Sequence, residues 1–135
     1  TTPNQPAFSY LGTKSYDIPT TATTVMSSAN VWASSVNHAL NKGNHFNAST
    51  GRFTCPVAGI YRIYFRATGT GNSNIRLRKN GSTINEAYEN AGTNHSVSSE
   101  AVFSCAANDY LHIQIASGNF LSGTQHKQVT FELMS

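Results

Sequence analysis

The chain has 135 residues, the size of one ordinary domain, and 39% of them are apolar, which is enough to bury a single core. Only 11% of the residues are charged, and a formal net charge of +3 is too weak a basic bias for a nucleic-acid partner. No run of apolar residues is long enough to cross a bilayer, so membrane insertion is not expected. We therefore expect a single domain over residues 1–135.

The first third of the chain predicts few regular elements. Residues 1–6 contain two prolines among polar residues and predict an extended leading segment. Alternation at Phe8 and Tyr10 predicts a short strand. Residues 14–43 are rich in Thr, Ser and Asn with isolated apolar positions, which favours short strands and loops, although residues 31–40 are also compatible with one helical turn.

The clearest predicted strand covers residues 57–67, where apolar and aromatic positions alternate. One row is expected to face the core: Tyr61, Ile63 and Phe65. The opposite row is expected to face outward: Ile60, Arg62, Tyr64 and Arg66. The outward row is too apolar and aromatic for a plain solvated face, which points to a protein–protein contact.

The remainder of the chain predicts a series of short strands. They are expected at residues 75–79, 84–89, 97–105, 111–115 and 129–133. Asn80-Gly81 predicts a hairpin turn because both residues tolerate positive φ, and residues 106–109 predict another turn. Polar loops are expected at 69–74, 89–95 and 117–125. Many strands, regular turns and no convincing helix predict an all-β sandwich or jelly roll.

No catalytic motif is visible. The chain has no phosphate loop, no dinucleotide fingerprint and no His-Glu-x-x-His helix. The two closest carboxylates, Glu86 and Glu89, differ in strand parity and so do not form an acid/base pair. We expect no enzymatic activity.

A metal site is not indicated either. The five histidines lack metal-ligand spacing and are expected on the surface or in loops: His38, His45, His95, His112 and His126. A calcium ion in a loop is compatible with the sequence, because backbone carbonyls can be ligands, but nothing indicates one. We expect no cofactor.

Residues 46–65 carry a resemblance to a known family. Phe-Asn-Ala-Ser-Thr-Gly-Arg-Phe-Thr-Cys-Pro-Val-Ala-Gly-Ile-Tyr-Arg-Ile-Tyr-Phe closely resembles the signature of the C1q globular head domain. Residues 6–9, 77–81 and 107–111 resemble further segments of that domain. In physical terms Gly51 permits a turn with positive φ before Phe53, so the signature marks a fold and not a ligand site.

The resemblance implies a ten-strand jelly-roll sandwich of the C1q/tumour-necrosis-factor superfamily that forms a homotrimer. In such a fold both termini lie at one end, the base, with the 80–82 hairpin and the 106–109 turn. The three polar loops lie at the opposite end, the apex. The long strand then lies between the strands that carry two outward carboxylates. The expected trimer interface is Ile60, Arg62, Tyr64, Arg66, Glu100 and Glu132, with an arginine paired to a carboxylate.

The two cysteines, Cys55 and Cys105, are both expected at the base. They could come close enough to form a disulfide. The resemblance also allows a free buried thiol at the Cys55 position, so both alternatives stay open.

The low charge and the Asn/Thr/Ser-rich style resemble heads at the tips of viral and bacteriophage tail fibres. This predicts a receptor-binding head on a virion surface, joined to an upstream fibre or stalk. One alternative is a secreted, extracellular C1q-domain protein of host defence. Another is a purely structural trimerisation cap.

The apex loops are the expected binding surface for a cell-surface glycan or protein, because loops tolerate change and collect function. Amide side chains satisfy sugar hydroxyls, and aromatic rings cover sugar faces. The expected ligand-facing set is Asn72, Asn74, Tyr88, Glu89, Asn94, His95, Asn119, Phe120 and His126.

Overall fold

The computed structural model describes residues 5–11, 40–47, 50–120 and 127–135, and these residues form strands and turns without a helix. The strands are β1 (Ala7–Leu11), β2 (Leu40–Lys42), β3 (Phe46–Asn47), β4 (Arg52–Thr54), β5 (Gly59–Lys79), β6 (Ser82–Cys105), β7 (Tyr110–Phe120) and β8 (Lys127–Leu133). The strand predicted at Phe8 is confirmed as β1. Most of the segment 14–43, with its alternative helical turn, lies outside the described residues.

Strand β5 belongs to both layers of a sandwich. Its first half, residues 61–67, pairs with β8, while its second half, residues 74–79, pairs with β7. The first layer is therefore β2-β1-β8-β5-β6, and the second layer is β3-β4-β7-β5-β6. Counting the long strands β5 and β6 in both layers gives ten strand segments, five in each. The predicted ten-strand jelly roll is confirmed.

The core lies between the two layers and is rich in aromatic rings. The predicted inward row Tyr61, Ile63 and Phe65 is confirmed, since all three side chains are fully buried. Phe131 on the first layer stacks on Phe53 of the second, with ring centroids 5.5 Å apart. Such pairs add about 0.5–1.5 kcal/mol beyond the area that they bury. These contacts hold the two layers face to face.

The loops predicted at 69–74 and 89–95 are wrong, because both segments continue the β5–β6 ladder. Composition suggested loops, but the polar residues of one strand are paired with polar residues of the other. Gly71 has a φ of +81°, and the register shifts between Thr70 and Asn72, so a bulge bends β5 from one layer to the other without ending it. Of the third predicted loop, residues 117–120 belong to β7 and residues 121–126 lie outside the described part.

The base is closed by two turns, both as predicted. Asn80 and Gly81 have φ values of 50° and 82°, and Asn108 in the second turn has a φ of 73°. Gly51, with a φ of 71°, likewise forms the predicted turn before β4. The backbone N–H of Ile60 donates to the carbonyl of Ser135 at 2.8 Å, so the C-terminus lies beside the start of β5. Both ends of β5 are therefore at the base, and its middle is at the apex.

Candidate binding surfaces

The apex consists of residues 69–74, 89–95 and 117–120, which the ladders bring together. Asn72 pairs with Asn90 and Thr70 with Asn94 between β5 and β6. Thr70 also pairs with Asn119 on β7. Three segments that are distant in sequence thus meet at the end opposite to the C-terminus, as the predicted arrangement of base and apex requires.

Most of the nominated apex side chains reach solvent. Asn72, Glu89 and Asn94 are exposed, and Asn74 and His95 are half-buried. Tyr88 is 59% exposed, although a tyrosine ring usually packs against its neighbours. These positions supply amide donors and acceptors, a carboxylate and an aromatic face on one surface.

Phe120 differs from the rest of the nominated set. Its side chain is only 3% exposed and belongs to the core cluster, because it pairs with Gly69 where β5 crosses between the layers. Its expected role in facing a ligand is therefore not supported. His126 and the side chain of Asn119 lie outside the described part of the structure.

The backbone beneath the apex is closely packed. A Cβ atom placed on Gly118 would lie 2.7 Å from the carbonyl oxygen of Asn72, so only glycine fits there. Ser73 is fully buried, and the Oδ1 atom of Asn74 is buried without a hydrogen-bond partner. The exposed side chains of the apex therefore project from closely packed backbone.

The outward face of the first layer carries the predicted ion pairs within one chain. The guanidinium of Arg62 lies 2.8 Å from Glu100 and 3.0 Å from Glu132. Burial alone would lower the pKa of Arg62, but the hydrogen bonds to both glutamates outweigh it and raise the pKa. Arg62 is therefore fixed in place by the two neighbouring strands.

Apolar side chains surround this ion-pair cluster. Ile60 is 38% exposed, and Val102 is 54% exposed although it stands opposite Arg62 on β6. Val102 was missed as a candidate, yet the alternation of residues 97–105 already places it outward. This face therefore combines exposed apolar side chains with an ion-pair cluster.

The outer face of the second layer is basic and contains one buried histidine. His112 was expected at the surface but is only 5% exposed, so that expectation is wrong. It stands opposite Arg78, and its ring lies 5.7 Å from that of Tyr110. Burial, followed by the charges of Arg78 and Arg52, lowers the pKa of His112 to about 4. The ring is therefore neutral at pH 7.

Cys55 and Cys105 are both buried at the base as free thiols. They are close enough to each other for a side-chain hydrogen bond. Burial is the main cause that raises the pKa of both thiols, and the neighbouring thiol raises that of Cys55 further. Both are held in the protonated, unreactive form.

The described residues contain neither a metal-binding cluster nor a membrane-spanning helix. They contain no group of three or more His, Cys, Asp or Glu side chains that could hold a metal ion. Among them there is also no helix of the length and apolarity that a bilayer span needs.

Comparison with known proteins agrees with the fold and the signature. The family model of the C1q domain matches residues 19–132. The globular domain of zebrafish complement 1qA protein superposes with a TM-score of 0.69 over 97% of this chain and 98% of that one, at 23% identity. Murine APRIL gives a TM-score of 0.68 at 16% identity over 96% of this chain and 99% of that one, which shows a shared fold.

Two curated proteins are similar in sequence. Mouse complement C1q tumor necrosis factor-related protein 3 is 31% identical over 67% of this chain and 39% of its own length. Rat complement C1q tumor necrosis factor-related protein 5 is 31% identical over 61% of this chain and 35% of its own length. The chain thus spans less than two fifths of these relatives.

The described architecture is that of a jelly-roll domain of the C1q and tumour-necrosis-factor type. Since the family model covers most of the sequence, the chain belongs to the C1q domain family.

Proposed function

We propose that this domain is the homotrimeric recognition head of an extracellular C1q-type protein and that it binds a polar cell-surface ligand through its apex. The observation that carries the proposal is the convergence of exposed amide and aromatic side chains on one end. The C-terminal residue Ser135 lies at the other end, beside Ile60, so it does not cover the apex.

The trimer part of the proposal rests on the outward face of the first layer. Ile60 and Val102 would cost free energy if they stayed in water, roughly 25 cal/mol for each Å² of apolar surface. Tyr64 and Arg66 extend the same row, and Arg62 is fixed between Glu100 and Glu132. A three-fold assembly would bury this face once in each of its three subunits.

The ligand part rests on the chemistry of the apex. Asn72, Asn94 and Glu89 can exchange hydrogen bonds with hydroxyl groups, and the ring of Tyr88 can cover a sugar face. His95 and Asn74 border this surface, and Asn119 and His126 belong to it by position. A glycan is the ligand class that such groups fit, and three copies would raise a weak affinity through avidity.

The predicted fibre-tip role is a finer alternative with different support. The charged fraction of only 11% favours it. The named relatives are complement and complement-related proteins of zebrafish, mouse and rat, and they favour the extracellular recognition role. A collagen repeat upstream of the domain in its parent gene would support the recognition head, and a fibre shaft would support the virion.

The test is an apex variant assayed on an array of microbial and mammalian glycans. Tyr88→Ala combined with Asn94→Ala removes the exposed ring and one amide, and we expect array binding to fall at least roughly tenfold through lost contacts and avidity. Val57→Ala, at a 49% exposed site near the start of β5, is the matched control.

Sedimentation of both variants shows whether the trimer persists. Unchanged array binding by a trimeric apex variant would place the ligand elsewhere. A wild-type trimer that binds no glycan on the array would favour the purely structural cap.

A further inference from the structure

Three basic side chains lie side by side across the outer face of the second layer. His112 on β7 pairs with Arg78 on β5. The pairing of Phe53 with Leu111 places Arg52 on β4 at the level of His112 from the other side. We call Arg52, His112 and Arg78 the basic row.

Two acids on the same side of the domain, Glu86 and Asp109, pair with other residues. Glu86 pairs with Arg76 at 3.0 Å. Asp109 lies 3.5 Å from Lys79 and accepts a hydrogen bond from Asn80. Within the described residues no carboxylate forms a salt bridge with Arg52, His112 or Arg78. The row is a concentration of positive charge without its own counter-ion.

The row also contains buried polar atoms that lack partners. Neither ring nitrogen of His112 has a hydrogen bond, and the buried Nε of Arg78 has none. Nη1 of Arg78 donates to Gln114 at 2.8 Å and to Thr83 at 3.2 Å, and Nη2 donates to the carbonyl of Gly81, so this guanidinium is held in place. A buried polar group without a hydrogen bond is costly, and a bound partner is one arrangement that removes this cost.

We propose that the basic row binds one oxyanion group, the carboxylate or sulfate ester of an acidic saccharide. The oxyanion accepts hydrogen bonds from the His112 ring and from Nε of Arg78, and it balances the charges of both arginines. The guanidinium of Arg52 lies over the Tyr110 ring at 4.1 Å, which fixes the third donor. Arg52 is exposed, so the row can be reached from solvent at its β4 side.

This site lies on the side of the domain and does not rest on the proposed apex. A head with both sites would bind neutral sugars at the apex and acidic groups on the side of the domain. The two sites are tested by different residues, so either can fail without the other.

The experiment follows the ring protons of His112 by NMR during titration with sodium sulfate, N-acetylglucosamine 6-sulfate and glucuronate. Sodium chloride at equal ionic strength is the reference. We expect a saturable shift of the His112 signals with at least one probe and a rise in the pKa of His112, because a nearby anion favours the charged ring. A preference for the 6-sulfate or for glucuronate identifies which acidic group the row reads.

Variants separate a site from a general positive field. Arg52→Gln and Arg78→Gln should each lower the affinity for the probe roughly tenfold, the loss typical of one charge-assisted hydrogen bond. Arg76→Gln removes the same charge from the same face but outside the row and should change the affinity by less than about twofold. Arg52 is exposed, so its variant folds even if that of Arg78 does not. The absence of a saturable shift with every probe, or an equal loss in the Arg76 variant, overturns the proposal.

Discussion

Asn80 and Asp109 join the two turns of the base. The Asn80 side-chain amide donates to Asp109 Oδ1 at 2.8 Å, and Oδ1 of Asn80 accepts from the backbone N–H of Tyr110 at 2.9 Å. The hydrogen bond from Asn80 is the main reason that the pKa of Asp109 is lowered. One side chain thus connects the β5–β6 hairpin to the turn that precedes β7.

This connection predicts that two substitutions of Asn80 lower stability by different amounts. Asn80→Gly keeps a residue that accepts positive φ but loses both side-chain hydrogen bonds, so its urea midpoint should fall below that of the wild type. Asn80→Ala adds a Cβ in the left-handed region and should cost about 1 kcal/mol more than the glycine variant. Equal midpoints for the two variants would contradict the role of the φ angle.

Buried His112 predicts a loss of stability in weak acid. The pKa is about 4 in the folded chain against an ordinary value of 6.5, so the unfolded state binds more protons between these values. Stability should therefore fall as the pH drops through 6.5 toward 4, by about 2 kcal/mol between pH 7 and pH 5. Urea unfolding of wild type and His112→Gln at both pH values checks this, since the variant should lose far less.

The proposed interface predicts a change of assembly from one substitution. Ile60→Asp places a carboxylate on the proposed contact face, where burying an unpaired charge is costly, and should convert the trimer to monomers. Ile84→Asp is a matched control, because Ile84 is 36% exposed against 38% for Ile60 but lies on the other layer. Sedimentation velocity measures both, and a trimeric Ile60 variant would move the interface to another face.

The burial of both thiols predicts that a thiol reagent reacts with them only after the protein is denatured. The folded protein should be almost unreactive, because Cys55 and Cys105 are 0% and 5% exposed and their pKa values are raised. In denatured, unreduced protein two thiols should react with the reagent. A denatured sample with no reactive thiol would show that the pair is bridged.

The sequence predicted what alternation and turn chemistry determine locally. The row of Tyr61, Ile63 and Phe65 and the turn at Asn80-Gly81 follow from side-chain period and φ preference alone. Arg62 was placed between the two glutamates only through the strand order that the family resemblance supplied.

The errors occur where distant segments meet. A polar stretch around Gly71 looks like a loop until its equally polar partner on β6 is known, and Phe120 looks accessible until its place beside Gly69 is known. His112 occupies an outward position in its strand, so its burial depends on long side chains from neighbouring strands. Such packing between distant strands produces no alternation pattern in a single sequence.

The pairing of Phe8 with Phe131 joins the two ends of the described chain within one layer. Phe131 is synthesised long after Phe8, so the first layer cannot close until nearly the whole domain has left the ribosome. Ladders between ends so far apart also make folding slow, because a long chain must be closed before its contacts form. The face proposed to join three subunits lies on this same layer, so assembly must wait until this domain has been made in each chain.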